Sequence, residues 1–105
     1  MKITISSDHA GYNLRQAIAE HLGQAGHTVE DLGPAANESV DYPDYAAKVA
    51  KAVAEDMTDL GILVCGSGIG MSIAANKVPG VRAALCFNTY LGEMSRAHNN
   101  ANVLC

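Results

Sequence analysis

The chain has 105 residues, with 7 Lys and Arg against 11 Asp and Glu, for a formal charge of −4 at neutral pH. That length suits one domain, and a composition 49% hydrophobic and 17% charged excludes a disordered, highly charged polymer. The acidic balance argues against nucleic-acid binding, and the longest apolar run, Leu60 to Cys65, is far short of the ~20 residues of a membrane span. No basic and then apolar leader precedes the first strand-like segment, so a cytoplasmic location is expected. Three cysteines without a Cys-x-x-Cys pair point away from a disulfide framework or a zinc knuckle.

In chain order, Lys2 to Ser7 is β-branched and alternating, and reads as a strand. From Gly11, Leu14, Ala17, Ile18, His21 and Leu22 recur at helical spacing, with Gly23 and Gly26 as stop signals. His27 to Leu32 reads as a second strand, and 35–40 as a small, polar loop. Asp41 stands where it can cap the next helix, with Pro43 tolerated in its first turn and Tyr45, Val49, Ala52 and Val53 as the apolar stripe. Leu60 to Cys65 is apolar throughout, as a strand buried on both faces requires. A glycine-rich turn, Gly66 to Gly70, leads into a helix from Met71 to Asn76. A strand at Val81–Cys86, a helix from Asn88 to about His98, and a last strand at Asn102–Cys105 complete the alternation. The expected fold is therefore α/β, a Rossmann-like three-layer domain with a parallel sheet of about five strands. Seventeen alanines and one Phe suggest helices lying close on the sheet. The chain stops within an apolar strand, so a C-terminal helical layer is expected to be missing, or supplied by another subunit.

Ligands of open parallel sheets bind beyond the carboxyl ends of the strands. That rim gathers Asp8 and His9, the loop before Tyr42, and Cys65 to Gly70. Closely spaced glycines at a helix start allow close approach to a ligand and offer amides to an anion. The same positive field favours a thiolate, which makes Cys65 a candidate base or nucleophile. The plainer reading is a small core thiol beside a tight turn. The segment is neither a P-loop, lacking Gly-Lys-Ser/Thr, nor the Gly-x-Gly-x-x-Gly dinucleotide pattern. Asp8 could serve substrate or cap the following helix, and His98, before Asn99 and Asn100, reads from spacing alone as a solvated C-cap. His21 and His27 look structural, as do Cys86 and Cys105. No local His, Cys and carboxylate spacing suggests a metal site, and no cofactor is expected.

Together, Ser7-Asp8-His9-Ala10-Gly11, Asp41-Tyr42-Pro43, Cys65-Gly-Ser-Gly-Ile-Gly70, Ile73-Ala-Ala-Asn-Lys77, Arg82-Ala83 and Ser95-Arg-x-His98-Asn99 resemble the ribose-5-phosphate isomerase type B family, over essentially the whole chain. The resemblance implies a single sugar-phosphate isomerase domain over 1–105, acting without metal through an enediolate. It implies Cys65 as the base, and Gly66, Ser67, Gly68, Ile69 and Gly70 as the cradle of the reacting oxygens, with Ser67 assisting the thiol or substrate. It further implies ring opening by His98, substrate contacts from Asp8, His9, Tyr42 and Asn99, with His9 towards the phosphate, and a homodimer with shared sites, or a tetramer. The family continues with a Gly-x-Arg segment and phosphate-binding arginines, whereas the arginines here are Arg15, Arg82 and Arg96. Isomerisation of a six-carbon sugar phosphate (galactose or allose 6-phosphate) remains open, as does a non-catalytic phosphate- or nucleotide-binding module.

Overall fold

Alternating β-branched and small residues let Lys2–Ser7 pack on both faces at once, and from Ile3 onward this strand is buried. It is an interior strand of the sheet. In the computed structural model, which describes residues 1–105, the elements run β1 (Lys2–Ser7), α1 (Tyr12–Gln24), β2 (Thr28–Asp31), α2 (Tyr42–Ala54), β3 (Leu60–Val64), α3 (Ile69–Ala75), β4 (Ala83–Ala84), α4 (Thr89–Ala97) and β5 (Val103–Leu104). All pairings are parallel, in the order β2-β1-β3-β5-β4.

Right-handed crossovers on that strand order place α1 and α4 on one face and α2 and α3 on the other. The α2/α3 face holds the main core: Ala46, Val49, Ala50 and Val53 of α2, Met71 and Ala75 of α3, and Leu63, Val81 and Val103 from the sheet side. Alanines at the contact let α2 lie close on the sheet. The stripe of α2 is thus turned slightly from the sequence expectation, with Ala46 and Ala50 innermost and Tyr45 and Ala52 half-buried.

The α1/α4 face is more open. Leu14, which the apolar periodicity turns inward, is 57% exposed, while Arg15 beside it is 3% exposed. Leu14 and Ile18 border an apolar depression with Ile62, Leu85, Phe87 and Leu104, and Ser95 is the only buried residue of α4. Gly23 lies within α1; the chain turns instead through Gly26, at φ +94°. Asp41 occupies the N-cap position of α2, but its side chain makes no capping bond. Helix α3 starts at Ile69, two residues earlier than the periodicity suggests, because the glycine turn has already closed by Gly68.

Regular pairing between the last two strands is confined to Ala83–Ala84 against Val103–Leu104, flanked by a Cys86 N–H to Cys105 O bond of 2.9 Å. Outside β4, the Asn76 side chain takes both main-chain groups of Ala83, accepting its N–H at 2.8 Å and donating to its carbonyl at 2.9 Å.

Candidate active site

Successive connections leave the carboxyl ends of β1 and β3 towards opposite faces, α1 to one and α3 to the other. A crevice opens between them, where open α/β sheets bind ligands. The two lips are held together by main chain: Asp8 N–H donates to Val64 O at 3.1 Å. A Cβ on Gly11 would stand 2.5 Å from the same carbonyl, so only glycine lets the start of α1 lie there.

Cys65 follows β3 directly, and its Sγ accepts the Gly68 amide at 3.1 Å. Ser67 Oγ accepts the Ile69 amide at 3.2 Å, which leaves its hydroxyl proton free to donate. The amides of Gly66, Ser67 and Gly70 donate to no protein acceptor. A half-buried thiol therefore sits among three main-chain donors. Tyr42, at the start of α2, lies on this loop from above: a Cβ on Gly70 would be 2.7 Å from its ring.

Gly68 adopts φ +79°, and a Cβ there would stand 2.5 Å from Leu85 Cδ1 and 3.2 Å from the Cys105 carbonyl carbon. Gly68→Ala should therefore cost about 1–3 kcal/mol of stability, from left-handed strain and crowding together. The amide directed at Cys65 should move with it. Unchanged denaturation midpoint and unchanged thiol reactivity would contradict this.

Asp8 is buried, and one carboxylate oxygen accepts the Gly11 amide at 3.0 Å, so it does cap the turn into α1. His9 is exposed on the rim, where its Nδ1 accepts the Val40 amide at 3.3 Å. These residues, with Tyr42 and Cys65 to Gly70, gather at the carboxyl edge as the sequence predicts.

His98 and Asn99 do not join them. Helix α4 runs back across the sheet, so its C-cap, His98, lies at the amino end of β5. Nine residues of helix separate the two edges by about 13 Å. Asn99 borders a different depression, with Asn76 and Arg82, and its carbonyl accepts the Arg82 Nε–H at 2.8 Å. No spacing signal in the sequence indicates this separation; it follows from the direction of α4.

Cys86 and Cys105, expected inside strands, lie just past the ends of β4 and β5 and border the same cavity as Cys65. Burial pushes the Cys105 thiol from 9.0 up to about 12, reinforced by the charges that Cys65 and Cys86 would carry as thiolates. Because alkylation needs the thiolate, iodoacetamide at pH 8 should label Cys65 well before Cys105, and the reverse order would refute this. Folding favours the protonated form of Cys105. Its contribution to stability is therefore complete below pH 9 and lost as pH rises from 9.0 toward about 12.

Residues 3–105 match the family described as Ribose/Galactose Isomerase. The ribose-5-phosphate isomerase B of Escherichia coli is 48% identical over 103 residues, 98% of this chain and 69% of that protein. The chain belongs to the ribose/galactose isomerase family. Among solved structures of this family, ribose-5-phosphate isomerase B of Clostridium thermocellum is 59% identical with a TM-score of 0.97, over 99% of this chain and 70% of that one. The corresponding protein of Mycoplasma genitalium, solved with bound ribulose-5-phosphate, is 48% identical with a TM-score of 0.95, over 99% of this chain and 70% of that one. No helix in the structure is long and apolar enough to cross a membrane.

Proposed function

We propose that this chain is an aldose–ketose isomerase that interconverts ribose 5-phosphate and ribulose 5-phosphate through an enediolate. The observation that carries the reading is Cys65 at the crevice, its sulfur held by the Gly68 amide and flanked by the uncommitted amides of Gly66, Ser67 and Gly70. Relatives named ribose-5-phosphate isomerase B, one of them solved with ribulose-5-phosphate, support the five-carbon sugar phosphate over a six-carbon one.

In this mechanism the Cys65 thiolate takes the C2 proton of the open-chain aldose. The electron pair moves into the C1–C2 bond and charge passes to the carbonyl oxygen. A fixed amide donor directed at such an oxygen is typically worth ~3 kcal/mol in the transition state. Shift of a proton from the C2 hydroxyl to that oxygen, and return of the thiol proton to C1, give the ketose and regenerate the thiolate. Ser67 donates its hydroxyl proton to thiolate or substrate, while Asp8, His9 and Tyr42 hold the sugar phosphate.

His98 opens the furanose ring and Asn99 binds substrate, both acting in a neighbouring subunit. Their place at the opposite sheet edge supports that assignment, because one chain cannot bring them to its own Cys65. A homodimer acting in the cytoplasm, or a tetramer, belongs to the same proposal. Incubation with ribose 5-phosphate in deuterated water tests the chemistry: deuterium should appear on carbon with the native chain and not with Cys65→Ala. Turnover without carbon-bound label, or no turnover by the native chain, would overturn the reading; a bound but unreacted sugar phosphate would indicate a non-catalytic module.

A further inference from the structure

Arg15 is the most deeply buried charged side chain of the protein, and it touches three separate segments. Its Nη1 donates to Ser7 Oγ at 2.9 Å and its Nη2 to the Pro34 carbonyl at 2.7 Å. Its Nε forms an ion pair with Asp31 Oδ2 at 3.2 Å, without hydrogen-bond alignment. The guanidinium also lies over the Tyr12 ring, 4.9 Å from its centroid.

A buried guanidinium is an inefficient source of stability, since a well-packed apolar side chain in its place is often as good or better. What the rigid fork supplies is direction. Ser7 is the last residue of β1, immediately before Asp8 and His9. Pro34 lies early in the loop after β2, and that loop returns at Val40, whose amide donates to His9 Nδ1. Two further bonds seat the same turn on β1, from Ser6 Oγ at 2.8 Å and the Ser7 amide at 3.2 Å, both to the Gly33 carbonyl. Arg15 thus ties down both the main chain that carries His9 and the loop that orients its ring. With Nδ1 occupied as an acceptor, a neutral His9 carries its proton on Nε2.

We propose that Arg15 is a positioning residue: by clamping the end of β1 to the loop after β2, it presents His9 at the crevice as a fixed Nε2–H donor to the sugar phosphate. The inference rests on the reading of His9 as a substrate contact and deepens it. The sequence gives no hint of the clamp, because an arginine in the first turns of an amphipathic helix reads as a solvated residue.

The test uses the whole chain with ribose 5-phosphate as the probe, and two readouts: steady-state kinetics and the nitrogen chemical shifts of the His9 ring. Arg15→Met, which keeps the volume and removes the fork, should raise KM about ten-fold with kcat within about three-fold, as loss of a ground-state contact does. The His9 signals should move from the Nε2–H tautomer to a mixture. Arg15→Lys, able to hold one carbonyl, should fall between. Val40→Pro removes the amide donor without touching Arg15, so it should reproduce both effects even if Arg15→Met fails to fold. Unchanged His9 signals in folded Arg15→Met, or in Val40→Pro, would overturn the proposal. A tautomer shift without a rise in KM, together with an unchanged KM in His9→Ala, would leave the clamp standing and overturn His9 as a substrate contact.

Discussion

Cys65→Ala is expected to lower kcat by about 10²–10⁴-fold, the range of a lost general base, while KM for ribose 5-phosphate changes little. The thiol is half-buried and small, and what it gives up is one acceptor for the Gly68 amide. Gly68 is buried, so leaving its amide without that acceptor should cost about 1–3 kcal/mol, read from the denaturation midpoint, while the fold survives. Cys65→Ser should be nearly as damaging, because a serine hydroxyl is far too weak an acid to serve as an alkoxide base near neutrality. The adjacent thiols supply the control: Cys86→Ala should leave turnover approximately unchanged. Stopped-flow or coupled assays of each variant decide the matter, and turnover of Cys65→Ala within a few-fold of the native rate would remove Cys65 from the mechanism.

The second large effect concerns His98 and exploits its distance from Cys65. His98→Asn should depress turnover of ribose 5-phosphate, which is largely cyclic, much more than initial turnover of ribulose 5-phosphate, which has no furanose form to open. A side chain with a pKa near neutrality suits this task, because it can donate and recover a proton at working pH. Mixing gives a sharper result. In a dimer with shared sites, one Cys65→Ala subunit and one His98→Asn subunit together rebuild one native site and one doubly defective site. Assayed on ribose 5-phosphate, which both variants turn over poorly, random exchange of equal amounts should therefore restore about one quarter of native activity, as two-fold symmetry requires. Equal losses on both sugars would contradict ring opening, and mixing without recovery, with exchange verified by mass, would contradict the shared site.

Where burial on both faces dominates, the sequence was legible. β1 has the bounds its alternation predicts, and β3 occupies the apolar run after Leu60. The carboxyl-edge residues Asp8, His9, Tyr42 and Cys65 were legible for the same reason, since strand ends locate them without any knowledge of packing. The strand order could not be read, and it alone turns this rim into a crevice between β1 and β3. Leu14 left its expected place, and Arg15 is buried beside it, because periodicity assumes a covered apolar face. The start of α1 instead faces oxygen acceptors at the strand ends, which only a donor-rich side chain satisfies. His98 could be raised above a C-cap only by resemblance, and in the structure it still occupies the C-cap position of α4.

Asn76 has a consequence for how copies of this protein can meet. An amide side chain that takes both main-chain groups of Ala83 is, chemically, a one-residue strand laid along β4. It leaves no ladder at that position for a visiting strand, and exposed ladders are the usual route to continuous sheets and fibres. At the other margin of the sheet, the acidic side chains of β2 are each held in an ion pair, Glu30 with Lys2 and Asp31 with Arg15, both at 3.2 Å. The β4 rim is thereby closed to extension at Ala83. Association on that side is left to faces and helices, which can be separated and re-formed without threading one backbone into another. The proposed sharing of active sites between two chains would then carry less hazard of open-ended growth at that rim.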